Sequence, residues 1–186
     1  RVLLYSGSFE EASNESSAVL NSTSFILEQS LSNVFLISSK ETIWQLQSAT
    51  AGQNAQEGAA FIFVSGPPPV TALNEVLVNS FSPADMRRSS WIKSVAGKTG
   101  IWHHAFKYRE MEFTAASREN SIVFRLAEQY LIRAEARASL GDLIGAKEDL
   151  DKIRNRAGLA NTAAQTKEEI LSAVLQERRW EFFTES

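Results

Sequence analysis

The residues able to do chemistry are few, and their spacing narrows what that chemistry could be. His103-His104 holds both histidines of the chain, and there is no cysteine. Neighbouring residues on a strand point to opposite sides, so the pair does not share one metal ion in regular structure, and no third His or Cys completes a set. The absence of cysteine also excludes disulfides, thiolate sites and Cys nucleophiles. The 22 acidic residues could supply a carboxylate pair for glycoside hydrolysis. Most of them sit beside basic residues late in the chain, where they read as solvated faces and i,i+4 partners. No Gly-rich phosphate loop, G-x-S-x-G elbow or H-E-x-x-H is present. No catalytic residue, metal or cofactor is therefore assigned. Aromatic residues are more suggestive. Trp91, Trp102, Phe106 and Tyr108 lie off any helical stripe, and exposed rings there would stack on sugar rings, with Lys93, His103, His104 or Arg109 donating hydrogen bonds. Core packing is the weightier reading for each ring. Trp91, Trp102, His103 and Tyr108 are the candidate ligand-binding residues.

The elements that must position these groups follow from periodicity. Residues 9–20 carry a weak helical stripe through Phe9, Ala12, Ser16, Val19 and Leu20. Residues 41–47 alternate Ile43 and Gln45 against Trp44 and Leu46, which predicts a strand with Trp44 in the core. Residues 59–64 read as a second strand, stopped by Gly66-Pro67-Pro68-Pro69. A short helix is expected over 70–79, and a turn or helix start at Ser82-Pro83-Ala84-Asp85. Residues 89–118 read as loop with at most short strands.

The last third carries the clearest pattern. Val123, Ala127, Tyr130, Leu131, Ala134 and Ala138 form an apolar stripe that predicts a helix over 121–140. Gly141-Asp142 ends it and opens a second helix bearing Leu143, Ala146, Leu150 and Ile153, so an α-hairpin is expected. Gly158 supplies a left-handed C-cap, and Thr166-Lys167-Glu168-Glu169 is a capping box opening a third helix to Trp180 or Phe183. On that helix Glu177 and Glu181 share a face, and an ion network with Arg154 and Arg156 is their structural reading.

Composition sets the outer bounds. The chain has 186 residues, 44% apolar and 22% charged, as in a folded globular protein. Net charge is -3, against a protein built to grip nucleic acid. Residues 1–80 hold 2 basic and 7 acidic groups, whereas 81–186 hold 17 and 15. No run of about 18 apolar residues predicts a membrane span. The chain opens at Arg1 without an initiator Met, and neither end has the polar character of a frayed terminus, which points to part of a longer protein.

Six segments in order resemble the SusD/RagB family. Phe124-Arg125-Leu126-Ala127-Glu128-Gln129-Tyr130-Leu131-Ile132-Arg133-Ala134-Glu135-Ala136 is similar to its R-L-A-E-x-Y-L-x-x-A-E-A signature. Asp151-Lys152-Ile153-Arg154-Asn155-Arg156-Ala157-Gly158-Leu159 resembles L-N-x-x-R-x-R-A-G-L, with Asp151 where Asn is usual. Glu177-Arg178-Arg179-Trp180-Glu181-Phe182 resembles E-R-R-x-E-L/F. Glu41-Thr42-Ile43-Trp44-Gln45-Leu46-Gln47 looks like the strand E-x-I-F/W-x-x-Q, Ser82-Pro83-Ala84-Asp85-Met86-Arg87 like the D-x-R turn, and Lys107-Tyr108-Arg109 like the K-Y-x step. The run that usually follows the last Glu in the family is missing, so the chain looks like a C-terminal portion cut short.

The resemblance implies a mainly α fold of tetratricopeptide-like helix pairs, of α/α superhelix type, beside an irregular region carrying short strands. The irregular part is placed at about 21–118 and the helical part at about 119–186. It implies a surface lipoprotein of the outer membrane in Bacteroidota-type bacteria, anchored through a missing N-terminus, non-enzymatic, with no nucleic-acid partner. Its partner would be a TonB-dependent transporter of the SusC type, and its cargo an oligosaccharide or polysaccharide, or a peptide in some members. The matching residues Arg125, Glu128, Glu135, Arg154, Arg156 and Glu177 would form a structural ion network holding helices together. Ligand residues have no motif to carry across. A helical protein-interaction scaffold and a glycoside hydrolase stand as the competing readings.

Overall fold

The computed structural model describes residues 1–185. In chain order its elements are α1 (Val2–Tyr5), α2 (Phe9–Leu20), β1 (Thr42–Leu46), α3 (Gln56–Phe61), α4 (Glu75–Ser80), α5 (Met86–Ser90), β2 (Ile92–Gly97), β3 (Gly100–Ala105), β4 (Ser121–Arg125), α6 (Leu126–Leu140), α7 (Leu143–Arg156) and α8 (Lys167–Phe182). The described residues are thus mainly helical with a few short strands. β1 pairs with β4, and β2 with β3. The chain forms two compact units that are discontinuous in sequence. One holds Arg1–Gln29, Lys40–Ile43 and Phe124–Phe183; the other holds Ser30–Ser39, Trp44–Val123, Thr184 and Glu185.

The helical unit is set by its small residues and its caps. Ala127, Leu131, Ala134 and Ala138 of α6 meet Ala146, Leu150 and Ile153 of α7 and Ile170 and Val174 of α8, all with no solvent exposure. Full burial of each Leu or Ile contributes about 1.5–3 kcal/mol, and the alanines let the helices close on one another. The opposite side of α6 packs on the first two helices, where Ile132 and Ala136 contact Leu4 and Ala12.

Gly141 adopts φ +91° to end α6, and Asp142 then caps α7 by accepting the amide of Gly145 at 2.9 Å. A side chain at Gly145 would collide with that carboxylate, since its Cβ would fall 2.3 Å from Asp142 Oδ2. Across the hairpin Arg133 grips Asp149 through two bonds of 2.7 and 2.8 Å, and Arg137 adds a third at 3.0 Å. Past α7, Gly158 has the expected positive φ of +80°.

Thr166 and Glu169 form the capping box of α8 as the spacing predicts. The amides of Gln165 and Thr166 hold the Glu169 carboxyl below its usual pKa. Its support for the helix start is therefore complete above the unfolded-state pKa and is lost as pH falls through the lowered folded value. Thr166→Ala is expected to cost about 1 kcal/mol, read as a lower midpoint in urea unfolding.

Several expectations need correcting. Residues 121–125 are strand β4, and the helix starts at Leu126; pairing with β1 outweighs the helical stripe, and Glu41 O accepts the Leu126 amide at 2.9 Å. Residues 59–64 are not a strand, for the chain turns through α3 to Phe61 before extending at Ile62. A short apolar run is ambiguous by period alone, and Ala59 and Ala60 favour the helix. The helix expected over 70–79 is confined to α4, where Asn74 caps by accepting the Val76 amide at 2.7 Å. Trp44 is 52% exposed, because it and Leu46 occupy the uncovered face of a two-stranded ladder.

The second unit is held by polar clamps as much as by apolar packing. Asn54 donates to Glu112 O and Thr114 Oγ1 at 3.0 and 2.9 Å, and accepts the Arg118 and Glu119 amides at 2.7 and 3.2 Å. Asp85 caps α5 through the Arg87 amide and forms a fully buried ion pair with the Arg87 guanidinium at 2.8 Å. The region read as loop with at most short strands contains the antiparallel β2–β3 hairpin, with Ser94 opposite His103 and Val95 opposite Trp102.

Candidate functional site

The four aromatic and histidine candidates divide into two pairs. Trp91 has no exposed surface, and its indole Nε1 donates to Leu31 O at 3.0 Å. Tyr108 is 5% exposed, and its hydroxyl oxygen accepts the Ile122 amide at 2.9 Å. Both rings pack on Phe35, with centroids 5.6 and 5.0 Å away. Lys107 Nζ lies 5.0 Å from the Trp91 ring and pairs with Glu185 at 2.5 Å. Neither Trp91 nor Tyr108 offers a face to solvent, because an aromatic cluster is what closes this unit's core.

Trp102 and His103 are half-buried on β3. The indole of Trp102 rests on glycine backbone: a Cβ at Gly66 or Gly97 would lie 2.3 or 2.6 Å from its ring carbons. His103 Nδ1 lies 2.9 Å from Ser94 Oγ. Partial burial and the nearby Arg88 guanidinium lower its pKa, Glu75 acting the other way, so neutral imidazole is favoured near pH 7. His104, on the opposite side of the strand, is buried against Phe63 at 5.1 Å. Among the described residues no three His, Cys, Asp or Glu side chains gather as a metal site.

The structure also forms a groove that sequence reasoning missed. It has a volume of about 510 Å³ and lies in the second unit, between the segment 46–61 and residues 119–121. Leu46, Ala55, Ala60 and Phe61 make its apolar lining, and Gln47, Gln53, Asn54, Gln56 and Asn120 contribute amides, of which Gln53 accepts from Ser48 and Asn54 is used in the clamp described above. Gln47 and Gln56 are exposed, whereas Asn120 is 4% exposed and its Oδ1 has no hydrogen-bond partner. Two carboxylates also line it. Glu57 accepts the Ser121 hydroxyl at 2.7 Å. Glu119 accepts the amides of Arg109 and Glu110 at 2.9–3.0 Å. Burial pushes the Glu119 carboxyl above its usual range, and those amides oppose the shift. Both Glu119 oxygens are thereby used in holding the 109–110 backbone. The amide-rich stretch Gln45 to Gln56 was the available signal, but it has no period and no motif.

The expected structural ion residues fall into separate groupings in the helical unit. Arg125 and Arg156 converge on Glu41 and Glu181, and all four are buried. Arg125 Nη1 lies 2.9 Å from Glu41 and 2.6 Å from Glu181, and Arg156 Nη1 lies 2.6 Å from Glu41 and its Nη2 against Glu181. Burial works against the Arg156 charge, but the Glu181 and Glu41 carboxylates outweigh it and raise its pKa. Arg154 pairs with Glu177 at 3.3 Å. Glu128 pairs with Arg1 and not with this cluster. Burial raises the pKa of Glu135, with Arg178 opposing. Glu41, on the far side of the sequence, is the member that helix patterns could not supply.

Comparison with known proteins agrees with this architecture. A model of the SusD family matches residues 89–186. The fold resembles that of surface glycan-binding protein A from Bacteroides uniformis, with TM-score 0.72 and 24% identity over 97% of this chain and 44% of that one. It also resembles a SusD-like carbohydrate binding protein from Bacteroides vulgatus, with TM-score 0.76 and 20% identity over 98% and 40% of the two chains. A SusD homolog from Bacteroides thetaiotaomicron gives TM-score 0.75 and 19% identity over 99% and 45%. The chain spans less than half the length of each of these three structures. No curated protein matches the sequence.

Proposed function

We propose that this chain, which belongs to the SusD family, is part of a non-enzymatic protein that captures glycans at the outer-membrane surface and passes them to a SusC-type TonB-dependent transporter. The parent protein would be held at that surface by a lipid anchor. The observation that carries the binding step is the groove with an apolar lining and five amide side chains, Gln47, Gln53, Asn54, Gln56 and Asn120. Amides read hydroxyl groups as donor and acceptor together, and apolar side chains cover the C–H face of a sugar ring. Commitment of both Glu119 oxygens to backbone amides supports binding over hydrolysis, since a general acid must reach the glycosidic oxygen. Trp102 and His103 are a secondary candidate surface, being the two of the four that retain exposed area.

The test is affinity electrophoresis of the intact parent protein through gels containing a panel of polysaccharides. Retardation in at least one gel, reduced about thirtyfold in apparent affinity by Gln47→Ala with Gln56→Ala, is expected, each lost hydrogen bond being worth roughly 1 kcal/mol. Trp102→Ala is run beside it as the measure of the hairpin surface. The same amides would also pair with a peptide backbone, so an absence of retardation together with retention on immobilised peptides would favour peptide cargo. Co-purification of the parent with its neighbouring transporter tests delivery, and its failure in every detergent tried would leave a binding protein without that partner.

A further inference from the structure

We propose that the groove selects uncharged glycans over anionic ones and that Asn120 Oδ1 fixes the ligand by accepting a sugar O–H or N–H bond; this rests on the glycan-binding reading above. Two independent observations support it. The first is charge. Glu57 and Glu119 line the groove, and among the described lining residues none is Lys, Arg or His. A uronate or sulfate entering it would lose water and meet carboxylates with no cation to compensate. Neutral hydroxyls face no such penalty, and the half-buried Glu57 can accept from them.

The second is an unsatisfied acceptor. Most buried polar atoms are paired in folded proteins, and an unpaired one on a residue that lines a groove is open to a partner from outside the chain. Asn120 Oδ1 is such an atom, and it belongs to a residue lining this groove. Its neighbour in sequence has both carboxylate oxygens tied down, and Asn54 on the facing segment is fully used in clamping 112–119. An oxygen accepts only, so the group that meets it must donate: a hydroxyl or an acetamido N–H fits, and a carboxylate or sulfate does not.

The experiment is affinity electrophoresis of the intact parent protein in gels of glucomannan, arabinoxylan and galactan, all neutral, and of polygalacturonate and chondroitin sulfate, both anionic. Asn120→Ala, Gln56→Ala and Glu57→Gln are run alongside, with circular dichroism melts to confirm folding. Retardation by a neutral polysaccharide and by neither anionic one, weakened about tenfold in Asn120→Ala, is the expected result. Gln56→Ala, at an exposed position, should weaken binding without affecting the melt, so the groove can be tested even if Asn120→Ala fails to fold. Retardation by polygalacturonate or chondroitin sulfate alone would overturn the charge selectivity while leaving glycan binding in place. Neutral binding unchanged in Gln56→Ala and in a folded Asn120→Ala would remove the groove as the site. No retardation in any gel would overturn both this inference and the reading it rests on.

Discussion

Glu181→Ala is expected to lower the unfolding free energy of the helical unit by about 3–5 kcal/mol, the usual cost of stranding a buried charge. Glu181 faces both Arg125 and Arg156, and its backbone carbonyl accepts Arg125 Nη2 at 2.9 Å. Removing the carboxylate leaves two guanidinium groups with Glu41 as the remaining shared counter-charge of the quartet, in a site from which water is excluded. The measurement is urea unfolding of the parent protein at pH 7, with Glu181→Gln as an isosteric control. A second comparison separates attraction from desolvation. Replacing all four charged residues together, Arg125→Met, Arg156→Met, Glu41→Leu and Glu181→Leu, should recover much of the loss, because an apolar quartet has no ions to desolvate. A midpoint for Glu181→Ala that matches the parent would mean the cluster contributes little to holding α8 in the helical unit.

Trp91→Ala should be nearly as damaging, costing about 3–5 kcal/mol as a large buried ring is removed. The indole packs on Phe35, donates to Leu31 O and lies beneath Lys107 Nζ. Truncation therefore opens a cavity, orphans a carbonyl and strips one ring from a buried cation. Trp91→Phe keeps a ring and loses the N–H donor, so it should fold with a smaller penalty. Its affinity for any retained glycan should stay within about twofold of the parent, since Trp91 has no exposed face to lose. A folded Trp91→Phe protein that no longer binds would return Trp91 to the ligand site.

The aromatic residues mark where sequence reading reaches its limit. Trp91, Trp102, His103 and Tyr108 all fall in one poorly periodic stretch, yet two are core and two reach the surface. Stacking on sugar and packing in a core call for the same residue types, so composition cannot separate them. Trp44 errs in the opposite direction. Its alternation with Gln45 was legible, but which face of the strand is covered depends on whether anything packs there. The strand β4 was hidden for a related reason: Val123 fits a helical stripe as well as a strand, and only β1, about 80 residues earlier in the chain, decides between them.

The amino-acid sequence by itself determined the elements whose signals lie within one or two turns of chain. Gly141 and Gly158 at positive φ, the Asp142 cap and the Thr166–Glu169 box all follow from interactions across a few residues. The small apolar stripe of α6 likewise announces close packing before any partner is known. Only the tertiary structure decided what those helices enclose and what the second unit displays. Glu41 meets Arg125 and Arg156 across 84 and 115 residues, and the groove joins 46–61 to 119–121. Helix caps and periodicity are local because their energies come from backbone groups three or four residues apart. Burial, charge pairing and an unsatisfied Asn120 oxygen depend on which distant segments exclude water together, and no spacing rule encodes that.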